Sequence, residues 1–118
     1  MHELGIAESI LDRVKQESAR HSGARATKVG LRIGQLSGVD PAALSFGFDA
    51  LVKDTPFESL ALEIDFRKRA QRCLACGREF ETDLLFRACP DCGSARTTCI
   101  AGQELEIAFI ELEEPACA

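Results

Sequence analysis

The feature that most constrains this chain is a pair of Cys-x-x-Cys motifs in its second half. The motifs are Cys73/Cys76 and Cys89/Cys92, and twelve residues separate them. Four thiolates supplied two by two satisfy the tetrahedral preference of a structural zinc ion and leave no coordination position open. The spacing therefore predicts a closed zinc site that stabilises local structure and performs no chemistry.

A pair of disulfides and a redox dithiol are the two alternatives to zinc. Disulfides are typical of secreted chains, and the start Met1-His2-Glu3 lacks the basic and apolar segments of a signal peptide. A redox Cys-x-x-Cys normally occurs once, at the start of a helix in a strand–helix unit. Zinc is the better interpretation, and Cys99 and Cys117 are expected to remain free, reduced thiols.

Hydropathy patterning divides the rest of the chain into helices and strands. Two segments carry apolar residues at helical spacing, namely residues 3–22 and the stretch from the N-cap Asp40 to a stop before Pro56. Three segments alternate between apolar and polar residues, as a half-buried strand does: 27–36, 60–66 and 105–109. In the last of these, the alternation places Leu105, Ile107 and Phe109 on one apolar side.

This order of elements predicts an α+β fold. Neither helix can bury its apolar stripe alone, so we expect two helices packed on one face of a three-stranded sheet. A small zinc-ribbon-like lobe is inserted before the last strand. We expect residues 1–69 and 96–118 to form the body, and residues 70–95 to form the zinc-binding lobe.

Composition excludes several function classes. The net charge is −5 and the chain has no Trp or Tyr, which argues against a nucleic-acid-binding surface. No apolar run approaches the length that spans a bilayer, so a cytoplasmic location is expected. No acid, base and nucleophile converge in the sequence, so an enzyme is not expected. A zinc-ribbon module for protein interaction, with no other role, is the alternative interpretation.

The first residues offer a second metal site. The α-amine of Met1, the backbone nitrogen of His2 and its Nδ1 atom lie on one continuous chelating path. A metal that binds a deprotonated amide nitrogen in a plane is Ni(II) or Cu(II) and not zinc. Three nitrogens leave one planar position open, which suits a carrier that releases its ion. The alternative is that His2 is a solvated residue and Glu3 a helix-start carboxylate.

Spaced motifs along the whole chain resemble the HypA/HybF family of nickel metallochaperones for [NiFe]-hydrogenase maturation. They are Met1-His2-Glu3-Leu4, the segment from Gly34 to Pro41 with Leu44-Ser45-Phe46 and Phe48 after it, the paired Cys-x-x-Cys with Cys89-Pro90-Asp91-Cys92-Gly93-Ser94, and Gly102-Gln103-Glu104-Leu105.

The resemblance implies roles for particular residues. His2 would be the nickel ligand, Glu3 would belong to the nickel or docking site, and Cys73, Cys76, Cys89 and Cys92 would hold zinc. It also implies a HypB-type GTPase as partner and delivery to the hydrogenase large-subunit precursor, with urease as a further target in some members. A homodimer is also compatible with the sequence.

One departure from the family concerns histidine. Some relatives have histidines beside the zinc cysteines, whereas His21 is the last histidine of this chain. A second histidine ligand to nickel would therefore be His21 or come from a partner.

Overall fold

The computed structural model describes residues 2–82 and 88–114, and for His2 it describes the backbone alone. The described elements are α1 (His2–Arg20), β1 (Arg25–Gly34), a short 3-10 helix (Gln35–Ser37), α2 (Pro41–Val52), β2 (Ala61–Arg67), β3 (Ala70–Cys73), β4 (Glu79–Glu81), β5 (Thr97–Ala101) and β6 (Leu105–Glu113). Among these helices, none combines the length and the apolar character that a membrane crossing requires.

The body is built on a three-stranded sheet with the order β2-β1-β6. Strand β1 is central; it pairs in parallel with β2 and antiparallel with β6. Helix α2 makes the crossover that two neighbouring parallel strands require. The predicted α+β class, with two helices and a sheet, is confirmed.

The core of the body lies between the two helices and one face of this sheet. Helix α1 buries Ala7, Ile10, Leu11 and Val14, which recur at the three- and four-residue spacing of one helical face. Strand β1 and helix α2 supply the opposing residues, of which the largest fully buried ones are Val29, Ile33, Leu44 and Phe48.

Helix α2 begins as its sequence predicts. The side chain of Asp40 accepts hydrogen bonds from the backbone N–H groups of Ala42 and Ala43, and Pro41 occupies the first helical position. An N-cap carboxylate satisfies donors that lack partners inside the helix. This cap fixes the direction in which α2 leaves the loop after β1.

Strand β6 differs from the predicted alternation. Leu31 pairs with Ile107, but the adjacent Gly30 pairs with Phe109, so β6 contains one extra residue at this point. The bulge moves Phe109 to the outer face of the sheet, where it is 41% exposed, while Ile107 and Ile110 pack against the core. The prediction that Phe109 shares a side with Ile107 is therefore wrong.

A second sheet, with the order β4-β3-β5, carries the cysteine motifs. Strand β3 pairs antiparallel with both neighbours, and Ala70 lies opposite Ala101. The predicted boundary assigns residues 96–101 to the body, whereas β5 pairs with β3 in the second sheet. The strand Thr97–Ala101 is short and its apolar pattern is weak, so hydropathy alone does not identify it.

The two sheets meet where the chain passes between them. The side-chain oxygen of Gln35 accepts a hydrogen bond from the backbone N–H of Arg69 at 2.9 Å. The Gly102 carbonyl accepts from the N–H of Leu36 at 2.7 Å. A Cβ atom at Gly34 would lie 2.1 Å from that same carbonyl oxygen, so only glycine permits this approach. We call these contacts the junction.

Candidate metal centre

The first cysteine motif forms a tight turn at the end of β3. The N–H of Cys73 donates to the carbonyl of Arg78 at 2.8 Å, and the N–H of Gly77 donates to the carbonyl of Cys73 at 2.9 Å. Gly77 adopts φ +80°, the left-handed conformation expected at this position. The turn points the N–H of Cys76 at the sulfur of Cys73, at 3.4 Å.

The second motif repeats this geometry. The N–H of Cys89 donates to the carbonyl of Ser94 at 3.0 Å, and the N–H of Gly93 donates to the carbonyl of Cys89 at 2.9 Å. Gly93 adopts φ +71°. Two turns of the same kind thus present their sulfur atoms to a common point, as in other zinc sites built from paired Cys-x-x-Cys motifs.

The four sulfur atoms form one cluster, with all Sγ atoms within 4.8 Å of one another. Sγ of Cys73 lies 3.5 Å from that of Cys92, and Sγ of Cys76 lies 3.6 Å from that of Cys89. A tetrahedron with Zn–S bonds of about 2.3 Å has sulfur atoms about 3.8 Å apart. The residues present therefore fit a zinc ion with four thiolate ligands.

The first cysteine of each motif is prepared for deprotonation. The backbone N–H of Cys76 lowers the pKa of the Cys73 thiol to about 6, because it stabilises the thiolate. The backbone N–H of Cys92 lowers the pKa of Cys89 in the same way. Two of the four deprotonations that a zinc site requires are thus favoured, mainly by backbone N–H groups.

The second cysteine of each motif has a raised pKa instead. The backbone N–H of Arg78 acts to lower the pKa of Cys76, but hydrogen bonds with the other cysteines, first of all Cys89, together with desolvation in the cluster outweigh it and raise that pKa to about 12. Corresponding contacts raise the pKa of Cys92. Both thiols are therefore harder to deprotonate than an ordinary cysteine.

The cluster is half enclosed. Cys73 and Cys89 are 1% and 2% exposed and pack with Phe80, whereas Cys76 and Cys92 are exposed. The side chain of Arg78, in the first turn, pairs with Asp91, in the second, and joins the two turns at the surface. An exposed pair of this kind contributes little stability, so it would be a weak connection between the turns compared with a zinc ion shared by the four sulfur atoms.

The predicted N-terminal site lies on the body and not in the lobe. Helix α1 begins at His2. Oε2 of Glu3 accepts a hydrogen bond from the backbone N–H of Asp40 at 3.3 Å, which connects the starts of α1 and α2. Hydrogen bonds from the backbone N–H groups of Glu3 and Asp40 lower the pKa of the Glu3 carboxyl. Met1 lies outside the described residues.

His21 and Cys99 belong to neither of these sites. His21 follows α1, and its Nε2 atom lies 3.9 Å from Oε2 of Glu17. The thiol of Cys99 donates to the carbonyl of Ala101 at 3.2 Å. Among the described side chains, the four motif cysteines are the one group of three or more potential ligands close enough to share a metal. Cys117 lies outside the described residues.

Sequence reasoning missed the residues of the junction. Gln35 and Gly102 belong to motifs that carried the family resemblance, but no chemistry was assigned to them. The signal was present as an isolated glycine on each side of the cysteine motifs, Gly34 and Gly102, at positions where strands begin or end. A glycine in such a place indicates a close approach of two backbones.

Comparison with known families decides where this chain belongs. The family model described as "HypA: Hydrogenase/urease nickel incorporation, metallochaperone, hypA" matches residues 1–112. The chain belongs to the HypA family. The hydrogenase maturation factor HypA of Alkalilimnicola ehrlichii is 39% identical over 113 residues, which cover 96% of this chain and 100% of that protein. That of Syntrophus aciditrophicus is 38% identical, covering 96% of this chain and 98% of that protein.

Solved structures show the same fold. The solution structure of the Ni metallochaperone HypA from Helicobacter pylori has a TM-score of 0.62 and 18% identity, covering 96% of this chain and 98% of that one. A second solution structure of a HypA protein has a TM-score of 0.67 and 20% identity, covering 95% and 96%. The combination of a two-helix body with a small second sheet is thus a fold shared with HypA structures.

Proposed function

We propose that this chain is a nickel metallochaperone that binds Ni(II) at its N-terminus and helps to insert it into the large-subunit precursor of a [NiFe]-hydrogenase. The observation that carries the proposal is the match of the HypA family model to residues 1–112. A HypB-type GTPase would be the partner in delivery, in the cytoplasm. Urease would be a further target.

The start of helix α1 supports nickel binding at His2. The backbone N–H groups in the first turn of a helix have no acceptor within that helix. His2 is the first residue of α1, so a metal can replace the proton on its backbone nitrogen without breaking a helical hydrogen bond. A helix start carries partial positive charge, which opposes a cation, and the Glu3 carboxylate offsets that charge.

The cysteine cluster supports a separate, structural zinc ion. Cys73, Cys76, Cys89 and Cys92 would all bind it as thiolates, which leaves no position for cargo or substrate. The two metals are then divided between two regions: an exchangeable ion on the body and a permanent one in the lobe. An accessory protein of this kind has no turnover of its own, in agreement with the expectation that the chain is not an enzyme.

The two histidines of the chain provide a matched test of the nickel site. Untagged wild type, His2→Ala and His21→Ala are titrated with Ni(II) and followed by d–d absorption, with zinc measured in each. We expect His2→Ala to abolish specific nickel binding and His21→Ala to retain it, with zinc content unchanged in all three. If His2→Ala binds nickel as wild type does, the N-terminal site is wrong.

One added residue before Met1 tests whether the terminal amine is a ligand. The added residue changes that amine to an amide and creates a site with one amine, two amides and an imidazole. We expect such a protein to bind nickel but to release it slowly to a chelator, since no planar position remains open. Release at the wild-type rate would show that the Met1 amine is not part of the site.

Two substitutions separate the roles proposed for Glu3. Glu3→Gln keeps an oxygen that can accept from the Asp40 N–H but removes the negative charge. If Glu3 serves mainly to hold α1 against α2, Glu3→Gln should bind nickel as wild type does and Glu3→Ala should not. If Glu3 acts through its negative charge, as a nickel ligand or by offsetting the helix start, both variants should bind nickel more weakly.

A further inference from the structure

Phe46 is the most exposed of the large apolar side chains in the described part of the chain. It lies in α2 and is 78% exposed, whereas Leu44 and Phe48, two positions away on each side, are fully buried. Successive helical residues are about 100° apart, so Phe46 points away from the core that its neighbours fill. The fold of the body does not require an aromatic side chain here.

The surroundings of Phe46 are small and apolar. One helical turn away on either side lie Ala42, Ala43 and Ala50, all exposed. Leu4 of α1 is 50% exposed, and its Cδ1 atom lies 3.8 Å from where a Cβ of Gly47 would be, so α1 packs closely beside this face. We define the Phe46 face as these exposed apolar residues together: Leu4, Ala42, Ala43, Phe46 and Ala50.

The charges around the Phe46 face are acidic. Asp49 lies one turn after Phe46, and Asp40 caps the start of the same helix; both are exposed. Glu8 is exposed one turn after Leu4 on α1. Among the described residues of α2, none is basic; the nearest cation in sequence is Lys53, just after its end. Lys53 follows Ala50 by three positions on the same side of the helix, and the three acidic residues outnumber it, so the rim of this face is negative in sum.

The Phe46 face adjoins the proposed nickel site. Leu4 lies two residues after His2, and the hydrogen bond from the Asp40 N–H to Glu3 joins the start of α2 to the start of α1. A protein seated on Phe46 would therefore contact the chain beside its N-terminal residues. This position suits a partner that exchanges the metal ion.

We propose that the Phe46 face is the docking surface for the protein that exchanges nickel with this chain, and that this protein offers an apolar pocket with a rim of Lys and Arg. The inference rests on the proposed nickel function. An aromatic anchor surrounded by small residues matches the centre of a protein interface, and opposite charge at its rim directs association. A second copy of this chain is disfavoured, because it would place acidic rims against each other.

Phe46→Ala and Phe66→Ala form a matched pair for testing this surface. Phe66 lies at the end of β2 and is 45% exposed, so its substitution removes a similar side chain elsewhere on the body. The probes are the purified HypB-type GTPase and the hydrogenase large-subunit precursor of the same organism. We expect Phe46→Ala to weaken binding of at least one probe by about tenfold or more, and Phe66→Ala to leave binding unchanged.

A charge reversal tests the rim. We expect Asp49→Lys to weaken the same complex at low salt and the difference from wild type to shrink as salt rises, because exposed charges are screened. The proposal is overturned if wild type binds neither probe, if Phe46→Ala binds both as wild type does, or if Phe46→Ala instead abolishes a homodimer seen by sedimentation.

Nickel titration of the same samples keeps the two proposals apart. Wild type and Phe46→Ala are both expected to bind nickel equally and to contain the same zinc. If wild type fails to bind nickel, the proposed function fails. If wild type binds nickel and a partner, and Phe46→Ala does so equally well, the function stands and the docking surface alone is wrong.

Discussion

The body and the lobe of this protein are held together in different ways. Thirteen buried apolar residues from both helices, β1 and their connections form one core cluster in the body. In the lobe, the buried cluster consists of Cys73, Phe80 and Cys89, two of which belong to the metal site. The body therefore depends on the burial of many side chains, whereas the lobe depends on four sulfur atoms.

This difference makes separate failure of the two regions the expected behaviour. Loss of a bound zinc ion would remove a connection between the two cysteine turns but would touch no residue of the helix–sheet core. Loss of a core side chain weakens the body and leaves the four sulfur atoms in place. Each region can therefore be perturbed separately. Substitutions at the junction measure how far the two regions depend on each other.

The largest effect is expected from losing a zinc ligand. Cys73→Ser should lose zinc and unfold β3, β4 and β5, while α1, α2 and the first sheet remain protected. Zinc contributes roughly 10–16 kcal/mol to the folding of small zinc modules, far more than this lobe obtains by apolar burial. Zinc content and amide hydrogen exchange measure both outcomes.

Cys99→Ser is the control for this experiment, because Cys99 lies on β5 outside the cluster. It should keep zinc and the ordered lobe. Normal amide protection of β3 in zinc-free Cys73→Ser would contradict the dependence of the lobe on metal.

The next effect is expected in the body. Phe48→Ala should reduce the free energy of unfolding of the body by about 3–5 kcal/mol, because it leaves a cavity where a fully buried ring was. Phe46→Ala, on the opposite side of the same helix, should change it by less than about 0.5 kcal/mol. Chemical denaturation followed by helical circular dichroism measures both values, and zinc content should be the same in both. Equal destabilisation by the two substitutions would show that the core is not where the structure places it.

The smallest effect is expected at the junction. A Cβ atom at Gly34 would meet the backbone carbonyl of Gly102, which is held by the hydrogen bond that it accepts from the Leu36 N–H. A Cβ atom at Gly30 would meet the ring of Phe109, a half-exposed side chain that can rotate away. We expect Gly34→Ala to reduce the free energy of unfolding by about 1–3 kcal/mol and Gly30→Ala to reduce it by less.

Thermal unfolding measures this ranking, and exchange of the Arg69 and Leu36 amides reports on the junction itself. Gly34→Ala should expose both amides. If Gly30→Ala is the more destabilising of the two, the Phe109 ring is held more firmly than its exposure indicates.

Much of the fold followed from the sequence because its signals were local. The stripe of α1, the Asp40 cap of α2 and the alternation of β1 all reflect neighbours a few residues apart, and each is present in the structure. The grouping of the four cysteines also followed from local spacing. His2 and Glu3 stay predictions as nickel-site residues.

The features that sequence reasoning missed depend on residues far apart in the chain. The bulge that turns Phe109 outward is set by the pairing of β6 with β1, whose residues lie about eighty positions earlier in the chain. Strand β5 carries little apolar pattern of its own and is identified by pairing with β3. The junction likewise joins Gln35 to Arg69 and Leu36 to Gly102. These residues are too far apart in the chain for a local sequence pattern to reveal their contacts.

The insertion of the lobe before β6 has a consequence for the order in which the protein is made. During synthesis the central strand β1 and its parallel partner β2 leave the ribosome first, and one edge of β1 stays open until β6 follows. The lobe emerges in between. In the folded lobe Ala70 and Ala101 lie opposite each other, so the segment between them no longer acts as a long flexible loop. A folded lobe therefore holds the start of β6 near the end of β2, which reduces the entropy that β6 loses when it pairs with the open edge of β1.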